Sequence, residues 1–443
     1  MGRTSFTSAR SAVSMDTEIS KLRKLFEKIP DLRPGRNLVY KLSDIFMSGL
    51  AMFSLKYASL LDFDQQTPME RANMQSIYGI EKVSSDTRLR CVLDKQSPDP
   101  IREDFARSFK DLERTGLLAE YEYNIGQDKY LIFSNDGVQH FSSKKINCTC
   151  CLRKKHRNGS TTYHHNMLCS ALVKPDKSEV FIVDCEPIVK QDGHTKNDCE
   201  LNAAKRLISH LEQQYSGYQE RYNFVIVEDA LYANVPHLRQ VQGMKCSFIT
   251  NVKPGSHKTL FAHFKGRGQR NQTNKDSFKV NQITHRFEWI NNVPLNNSDG
   301  DFRVNFLHYE QTDKNGKKTT FSWVTNIKLR PNRVWSVMQA ARARWKIENE
   351  TFNTLKNLGY HFEHNYGHGQ DHLSTTLAFL MLLAFNVDQF VQACSKEFQE
   401  LTKKFRTRIR IWDMIRAVFK TICCPSMSFI YQHINSTFQV NSG

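Results

Sequence analysis

Three carboxylates stand out by where they fall in the chain. The apolar run Leu131-Ile132-Phe133 leads into Ser134-Asn135-Asp136-Gly137, and Phe224-Val225-Ile226-Val227 leads into Glu228-Asp229. An acid at the end of a buried strand lies where α/β sheets place their sites, although the same residue also serves as an ordinary turn or cap. The third acid comes from a helical pattern. Val334, Met338, Ala341, Trp345, Phe352 and Leu355 recur at steps of four and three with one wider gap, and Glu348 fills that gap. The pattern therefore turns a carboxylate towards the core. Either Glu348 pairs with Arg344 one turn earlier as a structural ion pair, or it faces the two strand-end aspartates. Three acids in one place repel one another and need divalent cations. Two magnesium ions held in this way suit phosphoryl chemistry, one activating a water or 3′-hydroxyl and the other stabilising the leaving oxygen. Glu350 lies roughly 200° around the helix from Glu348, on the solvent side. Asp184, Glu186, Asp192, Asp198 and Glu200 compete for the role but stand in mid-strand or helix-start settings, and rank lower.

A second group follows closely. Cys148-x2-Cys151 is half of a zinc-site spacing, with His156, His164, His165, Cys169 and Cys199 after it. If zinc binds, Cys148, Cys151 and His164 are the expected ligands, with Cys199 or His156 as the fourth, in a closed structural site. Otherwise these cysteines are small packing residues. Lys144-Lys145 and Arg153-Lys154-Lys155-His156-Arg157 flank the pair, and Lys265, Arg267, Arg270 and Lys275 populate a later polar stretch. With 62 Lys+Arg against 45 Asp+Glu and a net charge of +17, basic loops of this kind contact phosphate. The alternative is a solvated face.

Length and composition limit what can position these groups. A chain of 443 residues allows two or three domains. Its 40% hydrophobic and 11% aromatic content excludes a disordered or collagen-like chain. The positive balance points to a polyanion, nucleic acid before an anionic membrane, because the longest apolar run, residues 377–385, falls short of the ~20 residues of a spanning helix. The 11 cysteines are odd in number and include two adjacent pairs, and no signal-peptide apolar block precedes them. A reduced, cytosolic compartment is expected.

Residues 1–16, rich in Ser and Arg, read as a disordered leader. The spacing of Leu22, Leu25, Phe26, Leu42, Ile45, Phe46, Leu50 and Phe53 predicts a helical region over 17–120. Apolar runs at 130–133, 167–173, 179–185 and 222–227 predict strands, and Ala203, Leu207, Ile208 and Leu211 predict a helix over 202–215. Residues 121–256 are thus the first part of an α/β core. Residues 257–330 read as a β-rich insertion, with the turn Asp313-Lys314-Asn315-Gly316 between strands at 305–309 and 319–324. Pro331-Asn332 starts a helix that runs to Asn357 and stops at Gly359, and a helix over 373–391 completes the segment 331–395. A basic tail, 396–443, ends the chain.

The stretch Arg344-Trp345-Lys346-Ile347-Glu348, with Asn349-Glu350-Thr351-Phe352-Asn353-Thr354-Leu355-Lys356 behind it, resembles the Tyr-Arg-Glu-Lys signature of DDE transposases of bacterial insertion sequences, in their IS-four-like branch. Arg344, Glu348 and Lys356 carry over; Ala341 stands at the tyrosine's place, and Lys356 comes one residue beyond the usual spacing. Asp136 and Asp229 match the family's first two acids. The insertion and Phe362-Glu363-His364-Asn365-Tyr366-Gly367-His368-Gly369 extend the resemblance over most of residues 40–395. It implies an RNase H-like catalytic core preceded by a helical DNA-binding region and followed by C-terminal helices. It further implies two Mg²⁺ ions on Asp136, Asp229 and Glu348, replaceable by Mn²⁺, and DNA as partner, both element terminal inverted repeats and target. A dimeric synapse without membrane contact, in a bacterial, nucleoid-associated cytoplasmic setting, belongs to the same picture. Arg342, Arg344 and Lys356, with Lys154, Lys155 and Arg157, are then the expected DNA contacts. The implied activity is strand cleavage and strand transfer. Two alternatives stand beside it: a nuclease on the same core, and a transposase-derived protein that only binds DNA. An unpaired inward acid trio weighs against the second.

Overall fold

Alternation of apolar residues along the central strands buries both faces of one mixed sheet. The computed structural model describes residues 3–34, 38–188 and 198–437. Its strands are β1 (Tyr123–Ile125), β2 (Asp128–Ser143), β3 (Leu152–Lys155), β4 (Thr161–Val173), β5 (Phe181–Ile188), β6 (Asn223–Glu228), β7 (Ser247–Asn251), β8 (Asn274–Val280), β9 (Ile283–Pro294), β10 (Arg303–Thr312) and β11 (Lys318–Thr325). They run in the order β3-β4-β2-β6-β7-β11-β10-β9-β8, with β1 added to β2 and β5 to β4. The pairs β2·β6 and β6·β7 are parallel and the other pairs antiparallel. Leu131, Phe133, Phe224 and Ile226 pack on one side with Ala203, Leu207 and Leu211 of helix Glu200–Tyr215. Ile132, Val225 and Val227 pack on the other with Val334, Val337 and Met338 of helix Pro331–Arg342. Side-chain period two on the strands and the crossover helix together make this a mixed α/β fold, as expected.

The helical region expected over 17–120 forms, beginning with Met15–Phe26 and Leu42–Ser54. It does not stand apart as a separate body. Its apolar faces share one core with helix Leu373–Cys394 and with the helices beyond it. That helix, at 22 residues, is long and apolar enough to cross a membrane, but 94% of its apolar window is buried within the protein. Its polar residues have assigned work: Asn386 accepts the Ile182 N–H and donates to the Ile182 carbonyl, both at 2.8 Å. Edge strand β5 is thereby covered.

Four expectations about organisation change. The expected leader is helical over Arg3–Ser11, with Phe6 covering Gly116 and Arg10 ion-paired to Glu120. The expected insertion is instead a continuation of the central sheet, because β11 pairs with β7 through Trp323↔Asn251, Val324↔Thr250 and Thr325↔Ile249. It also carries an unforeseen helix, Lys258–Gln269. Its turn forms as expected, with Gly316 at φ 79° and its N–H bonded to the Asp313 carbonyl at 3.0 Å. The basic tail folds into helices Lys396–Lys404, Arg408–Thr421 and Met427–Thr437. N-terminal side chains cap them: Asp16 accepts from the Met427 and Ser428 N–H groups at 2.7 and 3.0 Å. Asn73 donates to the Phe419 and Ile422 carbonyls at 2.8 and 2.7 Å. Caps from the other end of the chain could not be read from local composition.

The fourth change concerns the helix after Pro331. It stops at Arg342, and a π-helical turn, Ile347–Phe352, and a short helix, Asn353–Asn357, follow. The cause lies in the sheet. The Arg344 carbonyl accepts the Ser134 hydroxyl at 3.0 Å and the Ile347 N–H at 3.2 Å. That i→i+3 bond is tighter than an α-helical one, and the Ser134 hydroxyl shares the same carbonyl just ahead of the π-helical turn.

Candidate active site

Parallel pairing of β2 with β6 aligns Ser134 with Val227, and that pairing ends there. The sequence places Asp136 at a strand end, yet β2 continues to Ser143 against β4, with Asp136 opposite Cys169. What ends beside Asp136 is its neighbour strand. Alternation gives Asp136 the side of Ser134, where Arg344 and Glu348 lie. Asp229 begins the turn beyond β6, its carboxylate accepting the Leu231 N–H at 2.7 Å. Glu228, one residue earlier, is turned to the opposite face and buried, bound by Asn135 Nδ2 at 2.8 Å and His237 Nε2 at 2.8 Å. Of the adjacent pair, Asp229 is therefore the acid left for a site.

Arg344 gathers the third acid. Its Nη1 lies 2.7 Å from Glu348 Oε1 and 3.4 Å from Asp136 Oδ2. Glu348 thus pairs with Arg344, and of the two strand-end aspartates this bridge reaches Asp136. Burial pushes the Asp136 carboxyl up to about 7; the Arg344 charge opposes this and a direct hydrogen bond with Glu348 adds to it. Glu350, on the same turn, makes neither contact. The stripe itself is as expected: Val334, Met338, Ala341, Phe352 and Leu355 are buried. Trp345 is half-buried edge-on to Phe321, and Trp323 is core.

The competing acids are mostly engaged elsewhere. Asp184 and Glu186 bind Arg102 at 2.8 and 2.6 Å, and Asp198 binds Arg206 at 2.8 Å. Asp192 lies outside the described residues. Glu200 is the exception. A Cβ added to Gly137 would come within 2.8 Å of its Oε2, so this glycine makes room for the carboxylate. Tyr232 donates to Glu200 at 2.5 Å. Burial pushes the Glu200 carboxyl up, and Asp229 adds to the rise while the Tyr232 bond opposes it. Glu200 ranks low in the sequence for its helix-start setting, and the signal that could have raised it is the glycine beside Asp136.

The expected DNA contacts divide. Lys154 and Lys155 are exposed on β3, and Arg157 is exposed in the turn that follows. Lys356 is ion-paired with Glu363 at 2.8 Å. Arg342 stacks over Phe321 and Trp345 at 5.6 Å from each ring and donates to Gln311 at 3.0 Å. Of the expected zinc set, Cys148 and Cys151 come together, but with His165 and His368. His164 and His165 are neighbours on β4 and point to opposite faces, so the choice of His164 put the wrong face inward. Cys199 is exposed at the start of helix Glu200–Tyr215, and His156 is exposed and bonded to Thr162 at 2.7 Å.

Ser134 offers a test of how the site is held. Ser134→Ala removes one hydrogen bond to the Arg344 carbonyl, which costs about 1 kcal/mol of stability. Any chemistry carried by the acids should fall by more than ligand binding, because the turn carrying Glu348 loses its anchor. Equal losses in both would return Ser134 to a purely structural role.

The family model described as the transposase DDE domain matches residues 144–387, more than half of the chain. Asp229 and Glu348 fall within the match; Asp136 precedes it. No curated protein matches the chain.

Proposed function

Because the chain belongs to the DDE transposase family, whose members are DNA-cleaving enzymes, we propose that Asp136, Asp229 and Glu348 are its acid trio and that it moves an insertion sequence by strand cleavage and strand transfer. The observation that carries this reading is the Arg344 bridge, which draws acids from β2 and from the turn after helix Pro331–Arg342 to one place. An RNase H-like core is supported by the strand order β5-β4-β2-β6-β7, in which β2, β6 and β7 are parallel, with helix Glu200–Tyr215 between β5 and β6. Arg344, Glu348 and Lys356, which match three places of the Tyr-Arg-Glu-Lys signature while Ala341 stands at the tyrosine's, support the IS-four-like branch.

The donor set is all oxygen and anionic, which fits a hard divalent cation. Two Mg²⁺ ions, or Mn²⁺ in their place, would supply activation of the attacking oxygen and stabilisation of the leaving one. The chain's own residues set the frame. Arg344, 8% exposed, fixes the relative position of Asp136 and Glu348, while the Ser134 bond fixes the turn below them. Lys356 and the exposed Lys154, Lys155 and Arg157 bind the phosphate backbone around the cleavage point. Terminal inverted repeats and target DNA are the substrates, bound by a dimer, in a bacterial cytoplasm.

Purified protein incubated with labelled element ends, target plasmid and Mg²⁺ tests this reading. Joined products are expected. Cleavage without joining would make it a nuclease, and retardation of DNA without either would make it a binding protein.

The basic surface has its own test. DNA affinity should fall linearly with salt on a log-log plot, and Lys154→Gln, Lys155→Gln and Arg157→Gln together should flatten the slope by up to about 2.7, at about 0.9 for each phosphate they neutralise. An unchanged slope would make these residues a solvated face.

A further inference from the structure

Cys148 and Cys151 leave the end of β2, His165 lies on β4, and His368 lies in the segment ahead of helix Leu373–Cys394. All four are buried, and one ligand atom from each lies within 4.8 Å of the others. The separations are 3.7 Å for Cys148 Sγ to Cys151 Sγ and 3.2 Å for His165 Nε2 to His368 Nε2. The mixed edges are 3.5 Å for Cys148 Sγ to His165 Nε2, 3.3 Å for Cys151 Sγ to His165 Nε2 and 3.1 Å for Cys151 Sγ to His368 Nε2. A tetrahedral ion with bonds of about 2.3 Å to sulfur and about 2.05 Å to nitrogen demands edges of about 3.8 Å for S···S, about 3.5 Å for S···N and about 3.3 Å for N···N. These five edges agree to within about 0.4 Å, and the sixth, Cys148 Sγ to His368 Nε2, lies within 4.8 Å. His368 Nδ1 donates to the Gly369 carbonyl at 2.8 Å. A carbonyl can only accept, so that bond fixes the tautomer and leaves the Nε2 lone pair aimed at the centre.

We propose that Cys148, Cys151, His165 and His368 bind one structural zinc ion. Two thiolates and two neutral imidazoles suit zinc in softness and geometry, and binding releases the two thiol protons to solvent. Four protein ligands close the coordination sphere, so no position remains for substrate. The ion joins two neighbouring segments, Cys148–Cys151 and His165 on β4, to a distant third; Cys151 and His368 are 217 residues apart. It fastens the sheet beyond Asp136 to the segment that follows Glu348 and leads into the buried helix, and it fixes the base of the β3 hairpin that carries Lys154 and Lys155. The site stands independently of the acid trio.

Elemental analysis of protein purified without chelator should find about one zinc per chain. Replacement of that metal with Co²⁺ should give the visible bands of tetrahedral cobalt with thiolate-to-metal charge transfer. His165→Ala and His368→Ala should lose the metal, whereas His164→Ala should retain it. Folded wild-type protein that contains no zinc and gives no tetrahedral cobalt spectrum would overturn the proposal, whatever the variants do. Loss of the metal in His164→Ala with retention in His165→Ala would overturn the ligand set.

Discussion

Asp136→Ala is expected to reduce strand cleavage by at least about 10³-fold, equivalent to about 4 kcal/mol of transition-state stabilisation, and to leave DNA binding nearly unchanged. Asp229→Ala and Glu348→Ala should behave alike, because cation binding and phosphate contact use different side chains. Glu350→Ala should be mild, since it shares the turn without touching Arg344 or Asp136. If Glu350→Ala is inactive and Glu348→Ala cleaves normally, the site has been built on the wrong acid. Stability separates a chemical role from a structural one. Burial, with help from Glu348, raises the Asp136 carboxyl from the usual 3.8 to about 7. A carboxyl raised on folding stabilises the fold below its unfolded value and loses that contribution as pH rises through the folded one. At neutral pH in chelator, Asp136→Asn should therefore leave Tm unchanged or higher, while cleavage is lost. A marked drop in Tm would mean that the residue holds the fold together.

Lys56→Met is expected to cost about 3–5 kcal/mol of stability, the largest single effect outside the site. Lys56 is 1% exposed and its ammonium lies 2.6 Å from Asp388 Oδ2. It also donates to the Phe53 and Ser54 carbonyls, each at 3.1 Å, and sits 3.9 and 4.3 Å from the ring centres of Tyr360 and Trp412. Tyr360 donates its hydroxyl to the same carboxylate. Burial lowers the Lys56 ammonium and raises the Asp388 carboxyl, and the attraction between the two opposes both shifts. Removing the lysine leaves Asp388 uncompensated. Lys56→Met with Asp388→Asn should cost less than Lys56→Met alone in denaturant unfolding. An equal or greater cost for the double variant would show that the packing of the lysine stem, rather than its charge, matters. The four residues come from an N-terminal helix end, the segment after the short helix Asn353–Asn357, the buried helix and helix Arg408–Thr421. The pair thus ties the two ends of the chain around the sheet.

How far the sequence revealed this arrangement depended on range. The apolar runs at 130–133 and 222–227, and the helical spacing at 202–215, are local signals, and strands and a helix form there, although β2 runs on to Ser143, well past the expected strand end. The helical stripe selects Glu348 over Glu350 on the premise of a continuous helix with an inward acid, whereas the helix is interrupted and the Glu348 side chain is 44% exposed. The interruption depends on Ser134, 210 residues away from Arg344, and no periodicity contains that information. The cysteine–histidine cluster divides in the same way. Cys148 and Cys151 are legible from spacing, His165 is hidden behind its neighbour on β4, and His368 reaches the cluster only through the tertiary fold. The expected insertion looks separate because strands reveal alternation but not their partners. Register between β11 and β7 joins it to the sheet. The final helices read as a tail because their caps, Asp16 and Asn73, lie at the other end of the chain.

The most direct test of the acid trio is anomalous diffraction from crystals of the protein soaked in Mn²⁺. The account predicts anomalous density bounded by Asp136, Asp229 and Glu348, and its disappearance in Asp136→Ala. Manganese bound elsewhere, or no manganese at these residues in protein that still cleaves DNA, would contradict it.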